Sequence, residues 1–348
     1  MTLITSIFVV IHTVLSSIGC IANLLVFYLA VFKSPKAIAS YTTLLINVSL
    51  TDFLCCFTDF FIQQRHIPAG LTLAYTSHGL CTHIGPHFCF LMYSINIHFI
   101  AHGLWSLLLG FVYRYYILFY ASPSRRTLIF VLLIVYIPSF LQMFIFLWAD
   151  DDPNELLVIL MNKFPDYHLE NETVSGTVNI ISFPALYTIL HMTVPISPVY
   201  ILIFILRRKI INKLLTNSGD MSTKTKELHS QLLKALTYQA LIPSFYSISI
   251  ISYVIGQFFY NHPIFEYTTL TGFLFMPVLS PISSIIFIQI YKRRILSLIY
   301  KIIGKEIPKE WIIGFSSRGG KTNGEEISRM EIRTNQVVSQ EYNSSRRF

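Results

Sequence analysis

Two histidines four residues apart, His98 and His102, have the type and spacing that most invite a chemical reading. On a helix they share a face and could offer two imidazoles to one metal ion. No further His, Cys or carboxylate stands where it would complete a ligand set, so no metal is expected. The pair lies in the middle of an apolar stretch and reads either as hydrogen-bonding groups lining a pocket or as satisfied core residues. Nor does the chain show a nucleophile paired with a base or a cofactor motif, so an enzyme is not expected and no cofactor is called for. Other polar residues within or at the ends of apolar stretches include Asn23, the run Asn47 to Asp52 with Asp59 seven residues on, then Asn96, Trp105, Arg114 and Gln239. Ionisable and amide groups in hydrocarbon need a partner or a wet cavity, so each marks a polar network or a binding site. Asn96, His98, His102, Trp105 and Gln239 are the candidate pocket residues; Asn23, Asn47 and Asp52 are candidates for a buried network. Arg114, between Tyr113 and Tyr115, closes its apolar stretch, where its stem lies among helices and its guanidinium reaches water.

These residues must be held by seven apolar runs, at roughly 5–32, 40–61, 87–112, 127–148, 181–206, 235–259 and 267–291. Each is about 20 residues or longer, enough to cross a hydrocarbon core of roughly 30 Å as a helix. Of the 26 Lys and Arg, all but Arg65 and Lys163 fall into alternate gaps or the C-terminal segment. Positive loops stay cytoplasmic. The N-terminus is therefore expected outside and the C-terminus inside, and the fold class is an all-α, seven-helix membrane bundle.

Composition agrees. With 13% charged residues and a mean hydropathy of +0.57, most of the chain must be covered by protein or lipid. The net charge of +8 is spread over loops on one membrane side, which points to membrane lipids and not to nucleic acid. The long second outer loop holds Asp150, Asp151, Asp152, Glu155, Asp166, Glu170 and Glu172, giving the outer face a negative balance. No basic n-region precedes the first run, so it reads as an uncleaved anchor with almost no outer tail, and ligand capture falls to the bundle.

Cys20, Cys55 and Cys56 lie within runs and act as small apolar residues. Cys81 and Cys89 flank the start of the third. If the stretch between them is helical, about 12 Å separates them, too far for a disulfide. A non-helical link through Gly85-Pro86 would change that, but free thiols are the expectation. Of three glycosylation sequons only Asn171 falls on the outer side. Asn47 lies inside a run and Asn343 in the basic tail. After Lys292-Arg293-Arg294, apolar residues at helical spacing from Ile295 to Ile303 describe an amphipathic helix on the inner leaflet or a continuation of the last run. Residues 1–303 are taken as one receptor-like domain and 304–348 as a disordered cytoplasmic tail. No internal repeat appears.

Asn23-Leu-Leu-Val and Asn47 to Asp52 resemble motifs of rhodopsin-like seven-helix receptors. That likeness implies a buried polar network that rearranges on activation. Tyr113-Arg114-Tyr115 occupies the place of that group's acid-Arg-Tyr motif, with Tyr113 replacing the acid, so the motif's restraining ion pair is missing. Ser280-Pro281 stands where the group has Asn-Pro, and Ser284 where it has Tyr. Six strings more closely resemble the nematode serpentine receptor class delta family: Gln63–Pro68, Leu73–His78, Leu104–Leu109, Tyr113–Leu118, Tyr238–Pro243 and Pro277–Pro281. This second likeness covers roughly residues 10–300. It implies a chemoreceptor of ciliated sensory neurons, with a small-molecule ligand and a heterotrimeric G protein as partners. Binding between runs three, five, six and seven would then part runs five and six at the inner face, where Arg114, Tyr113, Tyr115, Arg125 and Arg126 would meet the G protein. The alternative is a multi-pass ligand-gated channel or transporter without G-protein coupling.

Overall fold

The computed structural model describes residues 3–34, 39–216, 234 and 237–303. Seven helices in it are long and apolar enough to cross a membrane: Leu3–Lys33, Ala39–Ile62, Pro86–Tyr116, Arg125–Ala149, Phe183–Thr216, Thr237–Phe258 and Pro263–Phe287, here spans one to seven. Each overlaps the run expected from the sequence. Span five continues past the apolar run to Thr216, carrying Arg207, Arg208, Lys209 and Lys213 on helix beyond the hydrocarbon. It is broken near Pro195, which lacks an N–H, into Phe183–Thr193 and Ile196–Thr216. Spans three and seven are the most enclosed and spans four and five the least, so three and seven form the axis of the bundle.

Backbone carbonyls freed by proline are the weak points of such helices. Pro281 cannot donate to the carbonyl of Pro277, and Asn23 of span one does so instead, its Nδ2 2.9 Å from that oxygen. The same amide also donates to Gly19 O at 2.9 Å. Asn23 thereby repairs span seven while fastening it to span one.

A further helix, Gln289–Ile302, follows span seven. Ile288 leaves the helical conformation, so this is a separate element and not a continuation. Fully buried Tyr291 anchors it through a 2.6 Å hydrogen bond with Ser34 and through packing on Leu29 and Leu45. The tail from 304 and most of the inner segment between spans five and six lie outside the described residues.

The outer side adds a small sheet to the helical bundle, which the sequence reading did not include. Gln64–Ala69 (β1), Thr72–Ser77 (β2) and Thr173–Thr177 (β3) form an antiparallel sheet in the order β1-β2-β3. The β1–β2 connection is Gly70-Leu71, with Gly70 at φ +74, as a two-residue hairpin turn demands. Pro68 is tolerated because β1 is an edge strand, and Asn261 donates to its carbonyl at 3.1 Å. The strand period of two gives the sheet two faces. Ile67, Ala69, Ala74 and Val174 pack outward on Leu156 and Leu160 of the helix Pro153–Lys163. His66, Leu73, Tyr75 and Thr177 turn toward the bundle. The acidic run at the loop's start is structural. Asp151 accepts from Val178 N and Thr177 Oγ1, and Asp152 caps the outer helix at Asn154 N. Asn171 is exposed at the end of a short 3₁₀ turn in the same loop.

One expectation is overturned. Cys81 and Cys89 form a disulfide, with Cα atoms 5.1 Å apart. The segment is not a continuous helix: a 3₁₀ turn, Leu80–His83, ends before Gly85, whose φ of +137 reverses the chain into span three. The helical spacing that argued against the bond does not apply.

Arg65, an exception to the charge pattern, is held inside the protein. Its Nε and Nη2 donate to Glu266 Oε2 at 2.7 and 2.6 Å. Tyr167 Oη donates to the other carboxylate oxygen at 2.9 Å, and the guanidinium lies 4.5 and 5.1 Å from the rings of Tyr167 and Tyr267. Burial, the largest single influence, would lower the Arg65 pKa, but Glu266, Tyr267 and Tyr167 together outweigh it and raise it above the usual arginine value. The pair ties β1, the second outer loop and span seven together. Arg65→Met should leave Glu266 buried and uncompensated, costing about 3 kcal/mol. Arg65→Met with Glu266→Leu should recover most of that in thermal denaturation of the detergent-solubilised protein. Equal stability of wild type and Arg65→Met would show that the pair does not hold the sheet.

Candidate functional site

Under the inner face of the sheet lies a cavity of about 60 Å³ between spans three to seven. The sheet provides His66, Leu73, Tyr75 and Thr177. Tyr93 and Ile97 come from span three, Phe146 from span four, Met192 from span five, Tyr253 from span six and Phe273 from span seven. No lining residue carries a carboxylate, ammonium or guanidinium group. Among the lining threonines, Thr193 and Thr269 donate to carbonyls of their own helices, Ile189 O and Phe265 O, at 2.7 and 2.8 Å. The His66 ring stacks on Tyr253 at 5.3 Å, and the Tyr75 ring lies 4.5 Å from Tyr93. Burial lowers the His66 pKa to about 3, so the imidazole is neutral at physiological pH. Its Nε2 and the Tyr253 hydroxyl are buried without a hydrogen-bond partner. Span six also grips the hairpin turn, Gln257 Nε2 donating to Gly70 O.

The candidate pocket residues take other places. Asn96 donates to Cys55 O and Thr58 Oγ1 at 3.0 and 2.9 Å, beside a smaller space of about 10 Å³ that has room for about one water. His98 sets its ring against Tyr136 and Phe140 of span four at 4.7 and 5.9 Å. His102 Nε2 lies 3.3 Å from Asn47 Oδ1 and 3.2 Å from Ser106 Oγ, while Asn47 Nδ2 donates to Ser106 at 2.9 Å. The two rings are 6.2 Å apart, and no third metal-binding group joins them among the described residues. Trp105 is half-buried against the main core. The correction is geometric. Tyr93 and Ile97 define the cavity face of span three, and one helical step of about 100° carries His98 off it.

Gln239 is displaced furthest from its expected place, being at the inner end of span six. Arg114 Nη1 donates to Gln239 Oε1, Arg114 Nη2 donates to Tyr41 Oη at 2.8 Å, and Gln239 Nε2 donates to Ser283 Oγ at 3.1 Å. Spans two, three, six and seven meet there, through neutral partners where an acid is missing from the sequence. Arg207 adds a link from span five to six, donating to Thr237 Oγ1 at 2.9 Å. Tyr113 is buried, stacked on Tyr41 at 6.1 Å and bonded to Ser122 at 3.1 Å. Tyr115 packs beneath Lys209, whose Nζ is 5.8 Å from the ring centroid. Arg125 and Arg126 are exposed in the first turn of span four, whose N-cap is Ser124. Asp52 is buried beside Gly103 of span three and Ser280 of span seven. Asn23, Asn47 and Asp52 thus make three separate inter-span contacts.

Residues that sequence reasoning missed are His66, Tyr75, Tyr93 and Tyr253. Two were within reach: His66 and Tyr75 stand in the strings Gln63–Pro68 and Leu73–His78, whose Gly70 turn and period of two carry a hairpin signal.

Residues 8–297 match the family model described as the serpentine type seven-transmembrane G-protein-coupled chemoreceptor Srd. Among curated proteins, the chain is 43% identical over 283 residues to serpentine receptor class delta-18 of Caenorhabditis elegans, covering 80% of this chain and 84% of that one. It is 41% identical over 288 residues to serpentine receptor class delta-19 of the same organism, covering 81% and 85%. Among solved structures, squid rhodopsin aligns with a TM-score of 0.57 at 14% identity, covering 92% of this chain and 91% of that one. That likeness shows a shared seven-helix fold. The chain is a multi-pass membrane receptor and belongs to the serpentine receptor class delta family of chemoreceptors.

Proposed function

We propose that this receptor detects a small molecule in the cavity beneath the outer sheet and activates a heterotrimeric G protein at its inner face, in the plasma membrane of sensory cilia. One observation carries the reading: span six holds Tyr253 in the cavity and Gln239 on Arg114. The two lie 14 residues apart, about 21 Å along a helix. Between them Pro243 lacks the N–H that would continue the hydrogen-bond ladder, a point at which span six can hinge although Ile242 keeps helical dihedrals.

A ligand that contacts His66 and Tyr253 favours one setting of span six over another and shifts the population toward it. The hydrogen bond from Arg114 to Gln239 is what holds span six at the inner face in this reading. Release frees the guanidinium to meet a G protein together with Arg125 and Arg126. Tyr113 and Tyr115 act in this reading by positioning Arg114, since Tyr113 is buried and Tyr115 lies under Lys209. Asn23, Asn47 and Asp52 keep spans one, two, three and seven in register while span six moves.

In cells carrying a calcium or cyclic-nucleotide reporter, Arg114→Ala should abolish signalling with surface expression intact. Normal signalling from that variant would sink the assignment. Gln239→Leu removes a hydrogen bond to a charged group, worth about 1.5–3 kcal/mol. It should raise ligand-independent signalling roughly tenfold at equal expression, and unchanged basal output would show that the contact does not restrain span six.

A further inference from the structure

We infer that the ligand of the outer cavity is an uncharged, compact, mostly apolar molecule with a single hydroxyl or carbonyl group, seated between His66 Nε2 and the Tyr253 hydroxyl. The inference rests on the chemosensory reading and assigns the chemical class and the two anchors, which that reading leaves open.

Three observations carry it. First, the cavity offers no counter-ion: its lining is aliphatic, aromatic, thioether, hydroxyl and one imidazole. An unpaired carboxylate or ammonium there would lose its hydration with nothing in return. The nearby ion pair does not help, because Arg65 sits on the opposite face of β1 from His66 and is already satisfied by Glu266. Second, His66 and Tyr253 are 3% and 8% exposed, both line the cavity, and each holds an atom with no partner. Buried polar groups are ordinarily hydrogen-bonded, so two such atoms at one cavity describe an incomplete site. A phenol donates and accepts, and imidazole Nε2 does either according to tautomer. A ligand hydroxyl can bridge both, and a ligand carbonyl can accept from both. Third, the remaining surface is aromatic or adaptable, with Met192 held by Tyr246 Oη at 3.7 Å, which suits a compact hydrocarbon body.

The test uses the full-length receptor in lipid nanodiscs, titrated with cyclohexanone, cyclohexanol, hexanol, cyclohexanecarboxylate and cyclohexylammonium while thermal stability is followed. The ketone and the alcohols should raise the melting temperature in a saturable way, and the two ions should not. Tyr253→Phe keeps its stacked ring and removes only the unpartnered hydroxyl, while His66→Phe keeps an aromatic ring and removes both ring nitrogens. Tyr253→Phe should therefore leave the ligand-free melting temperature unchanged or higher, and each variant should weaken binding of the uncharged compounds about tenfold. The inference is overturned if neither the ketone nor the alcohols bind, if an ion binds as tightly, or if both variants keep wild-type affinity. Because binding is read without a G protein, the two readings fail separately. Uncharged compounds that bind through His66 and Tyr253 yet evoke no second messenger would defeat the signalling reading alone. Signalling evoked only by the ions would defeat this one alone.

Discussion

In hydrocarbon a backbone or side-chain polar group without a partner costs several kcal/mol, and the architecture of this receptor follows from how that cost is met. Proline 281 breaks the hydrogen-bond ladder of span seven, and Asn23 repairs it from span one. Arg65 and Glu266 neutralise each other while closing the sheet over the bundle. Asp59 is matched by His12, whose Nδ1 lies 3.0 Å from both carboxylate oxygens, and by Ser16. Each of these pairings joins elements far apart in the chain, so satisfying polar groups and assembling the helices are one process.

The same accounting distinguishes the two ends of span six. At the inner end Gln239 is engaged through both its oxygen and its nitrogen, accepting from Arg114 and donating to Ser283. At the outer end the Tyr253 hydroxyl is unmatched, next to an unmatched nitrogen of His66. In the proposed reading, a partner supplied at the outer end shifts the balance between two settings of span six. A differential contact of this kind is what a population shift requires. The outer sheet is joined to this end, because Gln257 of span six donates to Gly70 O in the β1–β2 turn and Asn261, just beyond the span, donates to Pro68 O in β1.

Much of the fold was legible in the sequence because it rests on composition. Runs of apolar residues of membrane length and the alternation of Lys and Arg specify spans and orientation without any knowledge of contacts. The single exceptions to the charge pattern could be counted but not explained: Arg65 reads as a loop charge until Glu266, 201 residues later, is brought beside it. That Asn23 and Arg114 need polar partners was readable, since an amide or guanidinium within a span is costly to leave bare; which partners they take was not. The surroundings of Gln239 and the histidine pair were not readable, because helical azimuth decides whether a residue meets a cavity, a neighbouring helix or the inner face, and a single span does not reveal its own rotation. The sheet was hidden for a different reason. Its strands are short, interrupted by Pro68, and completed by a β3 strand about a hundred residues away. The disulfide was hidden because Gly85 turns the chain where helical spacing was assumed.

The central claim is that span six is held against span three at the inner face and leaves it when a G protein engages. Spin labels on Tyr116→Cys and Leu241→Cys, both exposed positions, report that separation by pulsed electron resonance in the full-length receptor. Alone, the receptor should give one short distance. Adding nucleotide-free heterotrimers drawn from each major Gα class should produce a second, longer population with at least one of them. A distance distribution unchanged by every heterotrimer would contradict the account.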